Sequence, residues 1–272
     1  MKASPPPSPA LRVFALLRKA GYRCERLARR ISAAFFRAAF LTGPRRRHSY
    51  ISIDSFAAER RARWSGLGSN GARLSIVVVA YRQPVPLECL LASLACQTLQ
   101  NFDVIVLHDG PDPETRTVAE RFAARDPERF QYIETAVRHN DYGHTLRSIG
   151  IEAARGEFVL ITNGDNYYAP RFSEFVFEAI ATHDLDVALW DLVHSHTRPG
   201  GTVLSSYSPF RVYPLRYMVD IGSFLVRTEL AQRVGFVDKS HDGDARYVED
   251  LLTVTDRGLR IGKICKTLMV HN

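Results

Sequence analysis

The sequence predicts an α/β fold, a mostly parallel sheet flanked by helices, with a basic helical extension at the N-terminus. Three observations predict it. Between Leu74 and Asp184, short apolar runs alternate with segments of three-and-four apolar spacing, joined by brief polar connections. Strand and helix in such alternation build a parallel sheet wrapped by helices. The runs also lack a wet face: Phe158 to Thr162 is apolar or β-branched throughout, as a strand covered on both sides must be. Lastly, the positive charge is gathered at one end of the chain.

Ser75 to Ala80 reads as the first buried strand of the body. Pro84 then opens a helix whose Leu87, Leu90, Leu91 and Leu94 mark a buried face. Asp103 to Leu107 is the next strand, Thr115 to Arg125 a helix, Phe130 to Thr135 a third strand and Gly143 to Ala154 a third helix. Phe158 to Thr162 follows and breaks at the polar turn Asn163-Gly164-Asp165-Asn166; another helix begins after Pro170. Beyond Asp184 the rhythm loosens. Asp186 to Asp191 is a strand, His194 to Tyr217 a polar loop over the sheet, Ile221 to Val226 a strand and Glu229 to Val234 a helical turn. Val248 to Gly258 is expected as a helix, and Ile264 to Val270 as a last strand ending in His271.

Of 272 residues, 46% are hydrophobic, ample for a packed core. No run approaches the ~18 consecutive apolar residues of a spanning helix. Four cysteines, Cys24, Cys89, Cys96 and Cys265, contain no CxxC pair. Cys89 and Cys96 fall in a helical pattern that suggests reduced core thiols and a reducing cytosol. The net charge of +7 divides unevenly: residues 1–70 hold 15 Lys+Arg against 3 Asp+Glu, residues 71–272 hold 21 against 26. A mildly acidic body argues against nucleic acid as a partner. The expected division is a basic amphipathic extension with a linker, 1–70, and a folded body, 71–272.

Within the extension, Met1 to Pro9 is Pro/Ser-rich. Leu11 to Phe40 interleaves apolar residues with Arg and Lys, the pattern of one or two basic amphipathic helices ending at Gly43-Pro44. Residues 11–47 suit an anionic membrane surface, with aromatic residues down and arginines toward the headgroups. The competing readings are a helix docked on its own body or on a partner, and an Arg-rich transit peptide. The expected location is cytoplasmic, peripheral at the inner face of the membrane. Arg45-Arg46-Arg47 and the polar run to Gly71 read as linker.

Four polar features fall where strands end: Tyr81-Arg82, His108-Asp109-Gly110, Asn163-Gly164-Asp165, and Asp191 with His194. Parallel strands bring their carboxyl ends to one rim, so these features should converge. Neither a GxxxxGK phosphate loop nor a GxGxxG after the first strand is present, which disfavours triphosphate hydrolysis and dinucleotide binding. A cleft lined by carboxylates suits a diphosphate held through a divalent cation, because hard cations take oxygen ligands and bridge phosphate oxygens.

From Leu74 to about Pro170 these residues resemble family 2 glycosyltransferases of the GT-A fold. The resemblance rests on Ser75-Ile-Val-Val-Val-Ala-Tyr81, Leu91-Ala-Ser-Leu-Ala-Cys-Gln97-Thr98 and Phe102-Asp-Val-Ile-Val-Leu-His108-Asp109-Gly110. It continues through Gly143-His-Thr-Leu-Arg147-Ser-Ile-Gly150, Ala153-Ala-Arg155-Gly156-Glu157 and Asn163-Gly164-Asp165-Asn166. The second half matches through Tyr247-Val248-Glu249-Asp250 and, loosely, His271. The resemblance implies a nucleotide-binding set of Ala80, Tyr81, Arg82, Asp109, Arg147, Asn163 and Gly164. Tyr81 and its loop would pack on base and ribose, Asp109 would bind the base, and Arg147 would lie near the donor. His108 stands where the family usually carries a second carboxylate. Asp165 would be the metal-binding carboxylate of a DXD-type motif whose first position is Asn163, and His271 could complete the coordination of Mn2+ or Mg2+ as a neutral imidazole.

The reaction implied is displacement at the anomeric carbon of a nucleotide-diphosphate sugar by the hydroxyl of a glycan or lipid-linked acceptor. Asp250, with Glu249 as the alternative, would take the hydroxyl proton from the start of a helix; the plain alternative is that both acids favour a helix N-terminus. The competing class is a nucleotide-sugar-binding module that has lost activity, suggested by Asn163. His194 and His196 with Asp191 could bind metal, though surface histidines in a polar loop are commoner. Trp190 and the Tyr167-Tyr168 pair could stack on a sugar, with at most one of the two tyrosines facing the cleft.

Overall fold

The computed structural model describes residues 34–36, 38, 47–56, 74–195, 207–216 and 218–272. Residues 1–33, on which most of the amphipathic reading rests, lie outside the described residues, as does His196. The described strands join one sheet. They are β1 (Ser49–Ile53), β2 (Leu74–Ala80), β3 (Phe102–His108), β4 (Phe130–Glu134), β5 (Phe158–Asn163), β6 (Tyr167–Tyr168), β7 (Val187–Ser195), β8 (Tyr207–Phe210), β9 (Phe224–Arg227) and β10 (Arg260–His271). The helices are α1 (Pro84–Ala95), α2 (Pro113–Arg125), α3 (His144–Ala153), α4 (Phe172–His183), α5 (Thr228–Val234) and α6 (Gly243–Leu251).

The spatial order is β1-β10-β7-β9-β5-β2-β3-β4, with β6 on β10 and β8 on β7. Two parallel blocks, β5-β2-β3-β4 and β1-β10-β7, are stitched by β9, which runs antiparallel to both β5 and β7. This is the mostly parallel sheet that the sequence predicts, with helices packed around it. In β2, β3 and β5 the apolar run is buried almost without interruption, so each strand has helices over both faces. The α1 stripe Leu87, Leu90, Leu91 and Leu94 is fully buried, and Asp112 caps α2 by accepting the Thr115 N–H at 3.0 Å.

Two glycines let α3 approach the sheet. Gly143 has φ +80°, and a Cβ there would lie 2.6 Å from Val79 Cγ1. At Gly150 a Cβ would lie 2.2 Å from Val77 Cγ1. The Gln97-Thr98 motif has a fastening role. The buried Gln97 amide donates to Ser93 O and Ala169 O, both at 2.9 Å, and accepts from Ser173 N at 3.1 Å. It therefore fixes the segment that leaves the Asn163–Asn166 turn.

The structure corrects several expectations. Ser49–Ile53, inside the expected linker, is a parallel edge strand on β10; its short pattern is legible only once its partner is known. Phe36, at the end of the amphipathic stretch, is fully buried, with ring centroids 4.6 Å from Tyr50 and 4.8 Å from Tyr213. That end of the extension is docked on the body. Within the expected loop after His194, Tyr207–Phe210 pairs with β7; its Pro209 is tolerated because the strand pairs on one side. Ile221–Ser223 is a 3-10 turn capped by Asp220, and the strand starts only at Phe224. The helix expected at Val248–Gly258 is Gly243–Leu251. Its end falls before Thr253, Val254 and Thr255, whose branched side chains weaken helix. Cys89 and Cys96 are free and exposed, off the leucine stripe of α1, and so are not core thiols.

Candidate active site

The carboxyl ends of β2, β3 and β5 meet at one rim, where a cleft of about 480 Å³ opens in the range of small-molecule sites. Ala80, Tyr81, Asp109, Arg147, Asn163 and Asp165 all line it. Thus six of the expected site residues, spread over more than eighty positions, come together. Arg82 and Gly164 sit in the supporting backbone: Arg82 N donates to His108 Nε2 at 2.9 Å and Gly164 N to Val79 O at 2.8 Å. The backbone is strained here. Arg82, Asn140 and Tyr142 have positive φ, beside Gly110 and Gly143, a clustering typical of ligand sites.

His108 is buried, with Nδ1 against Gly110 O and Nε2 accepting from Arg82 N. Those partners require a neutral ring with the proton on Nδ1, so His108 shapes the loops. Its ring stacks 6.0 Å from Tyr81, and the Arg138 guanidinium lies 4.0 Å from the Tyr81 centroid. Asp109 accepts the His139 and Asn140 N–H groups at 2.7 and 3.1 Å. It thereby ties the loop carrying Arg138, Asn140 and Tyr142 to the rim. That loop also lines the cleft, and sequence reasoning passed over it. Its one signal was Asn140-Asp141-Tyr142-Gly143, a run rich in turn residues.

Arg147 is 4% exposed. Nη2 donates to Asn163 Oδ1 at 3.0 Å; Nη1 faces His144 Nδ1 at 2.7 Å, Tyr142 O at 3.2 Å and Asp244 Oδ1 at 2.9 Å. Burial pulls its pKa below the usual arginine value, with Asp244, Asp220 and Asp141 opposing. Asp244 carries a raised pKa because burial outweighs its attraction to Arg147. Neither Asp244 nor Asp220 stands out in the sequence: Asp220 caps the short 3-10 turn, and Asp244 is in the first turn of α6, ahead of the helix expected from Val248.

Asp165 Oδ1 is buried with no hydrogen-bond partner. Burial raises its pKa, Asp220 adds to the rise and His271 opposes it. His271 Nδ1 is likewise buried without a hydrogen bond, 3.3 Å from Asp220 Oδ2. A carboxylate oxygen and an imidazole nitrogen, each orphaned, fit the donor set of a divalent cation. No group of three or more His, Cys, Asp or Glu is gathered in ligand geometry among the described residues.

Other expected residues stand elsewhere. Glu249 and Asp250 do not line the cleft, and they occupy the C-terminal half of α6, not its start. Both pair with Arg246, at 3.8 and 3.2 Å, on the face opposite the buried Tyr247, Val248 and Leu251. The helix-dipole alternative for them therefore fails. Asp191 is not at the rim: β7 runs on to Ser195, and the buried Asp191 pairs with Lys263 and accepts Val212 N at 3.0 Å. The His194 ring lies tilted against that of His271, with centroids 4.7 Å apart. Trp190 is core, T-shaped against Phe172. Tyr168 is buried and Tyr167 half exposed, as strand alternation requires, but neither lines the cleft.

A mostly parallel α/β sheet with a polar cleft at its carboxyl rim defines the class: an α/β protein that takes its ligand where the strands end. Within that class, the glycosyl transferase family 2 profile matches residues 75–224. The chain belongs to that family. It is 26% identical over 190 residues to an uncharacterized glycosyltransferase, EpsJ, of Bacillus subtilis, covering 65% of this chain and 53% of EpsJ. Its fold is similar to that of S. aureus TarS 1-349 in complex with UDP-GlcNAc, at TM-score 0.59, 21% identity and coverage of 73% of this chain and 58% of that one. It is also similar to the mannosyltransferase PcManGT of Pyrobaculum calidifontis in complex with GDP-Man and Mn2+, at TM-score 0.55, 18% identity and coverage of 75% and 57%. The chain thus spans just over half the length of these proteins.

Proposed function

We propose that the cleft binds a nucleotide-diphosphate sugar and that the chain transfers the sugar, with inversion, to a hydroxyl of a cell-surface glycan or lipid-linked acceptor. The observation that carries this reading is Asp165, a half-buried carboxylate whose Oδ1 is buried without a hydrogen bond, lining the same cleft as the buried Arg147 at the rim of β2 and β5. Relatives of the same fold that hold UDP-GlcNAc or GDP-Man with Mn2+ support the donor class.

Tyr81 and Arg138 offer an aromatic and cationic wall to base and ribose, and Asp109 offers a carboxylate to the base. Arg147 faces the diphosphate, and Asn163 steadies it by accepting from Nη2. Asp165 and His271 would hold Mn2+ or Mg2+, whose bound charge offsets the negative charge growing on the departing diphosphate. The acceptor hydroxyl attacks the anomeric carbon opposite the leaving group, its proton passes to a carboxylate, and the bond from carbon to phosphate oxygen breaks. Asp250, with Glu249 as alternative, remains our candidate for that carboxylate. Because both lie outside the donor cleft, the acceptor would have to approach from the α6 side. Release of nucleoside diphosphate from a panel of UDP- and GDP-sugars with Mn2+ or Mg2+ tests the reading. Donor binding without release in wild type would favour the inactive binding module, to which the engagement of Asn163 by Arg147 lends some support.

The extension bears on location. No helix among the described residues is long and apolar enough to cross a membrane. We assign residues 11–33 to peripheral contact with an anionic surface, with Phe36 as the point where the extension locks onto the body. Flotation with phosphatidylserine liposomes should fall when residues 1–33 are removed; equal flotation of both forms rules the anchor out.

A further inference from the structure

The buried guanidinium of Arg147 draws its contacting counter-charge from outside the strand and turn on which the cleft is built. Asn163, at 3.0 Å, is neutral. His144 presents a lone pair, because its Nε2 is turned to the Ser240 carbonyl at 2.8 Å while Nδ1 meets Arg147. Burial and the neighbouring Arg147 hold His144 below its usual pKa. Asp244, at 2.9 Å from Nη1, is the carboxylate in contact. It sits on α6 at the spacing of the buried Tyr247, Val248 and Leu251, which turns it inward.

We propose that Asp244 is a positioning residue for the donor. It supplies the charge that position 163 lacks and seats Arg147 in the cleft wall. Through Arg147 it presents a fixed guanidinium to the oxygens of a nucleoside diphosphate. Asp244 does not itself line the cleft, so it acts through Arg147. The inference rests on the donor reading given above.

The test moves the charge. UDP and GDP are titrated with Mn2+ by calorimetry into wild type, Asp244→Asn and the double variant Asn163→Asp with Asp244→Asn. Asp244→Asn should weaken nucleotide binding about tenfold. The double variant returns a carboxylate to the same guanidinium and should recover binding to within about threefold of wild type. A merely structural role on α6 would not be rescued by a change on β5. Unchanged binding in Asp244→Asn overturns the proposal, as does a folded double variant no tighter than Asp244→Asn. Should Asp244→Asn fail to fold, the double variant must fold and bind, and its failure is equally fatal. Wild type binding neither nucleotide removes the donor reading, and this inference with it.

Discussion

Asp186 and Asp165 are both acidic side chains drawn out of water, at opposite edges of one sheet. Asp186, at the amino edge, is completely buried and crowded with partners. Arg257 grips it bidentately at 2.8 and 3.0 Å, Arg260 meets it through its side chain and its N–H, and Arg227 Nε lies 3.4 Å away. Asp165, at the carboxyl edge, has no hydrogen bond to Oδ1. Withdrawal from water is costly for either charge. At Asp186 the fold offsets that cost with its own cations, so the residue fastens β7, β9 and β10 together. At Asp165 it does not, and the deficit is what a bound cation would relieve. Burial alone marks neither role; the state of the partners does.

The largest test of that contrast is Asp165→Asn. Turnover should fall about a hundredfold to a thousandfold, measured as nucleoside diphosphate release, while the variant stays folded. Activity within a few-fold of wild type would break the comparison at its functional end. Asp186→Ala should lower unfolding free energy by about 3 kcal/mol, read by urea denaturation. It should leave donor affinity of the folded fraction unchanged, since nothing in the cleft touches Asp186. A stable variant with weakened donor binding would reverse the two assignments.

A smaller effect concerns pH. Because burial raises the native pKa of Asp165 above the ordinary aspartate value of 3.8, the native state holds that proton more tightly than the unfolded chain does. The contribution of Asp165 to stability therefore declines as pH climbs from 3.8 through the native pKa. Asp165→Asn lacks this decline, so its stability relative to wild type should rise over that window; a relative fall would show Asp165 to be paired after all. The smallest effect is at the rim of the arginine cluster. Glu157 is half exposed and bonds Arg227 at 2.6 Å, and Glu157→Gln should cost below about 1 kcal/mol, less in high salt. A cost matching that of Asp186→Ala would mean that burial is not what separates central from peripheral pairs.

How much of this was legible differs along the chain. Between Leu74 and His183 the four parallel strands β2, β3, β4 and β5 alternate with four helices, and the information is local. Period-two or unbroken apolar runs, helical stripes and glycines at close approach are all written within a few residues of the element they specify. Asp109, Asn163 and Asp165 could be picked out there, because parallel strands must bring their carboxyl ends to one rim; Arg147, on a helix, came only from the family resemblance. From Val187 onward, position is set by partners far away in sequence. β1 is a strand because β10 offers an edge, and Asp191 leaves the rim because Lys263 lies beside it. Glu249 and Asp250 turn outward because Tyr247, Val248 and Leu251 turn in.

By itself, then, the sequence determined the αβ alternation, the parallel sheet and the rim at which the chemistry is expected, since local periodicity and chain connectivity suffice for those. Only the tertiary structure decided which charges are balanced. Whether a carboxylate is scaffold, like Asp186, or waiting, like Asp165, depends on side chains brought within about 4 Å by folding, where Coulomb energy in a desolvated site becomes large. No spacing along the chain encodes that distance.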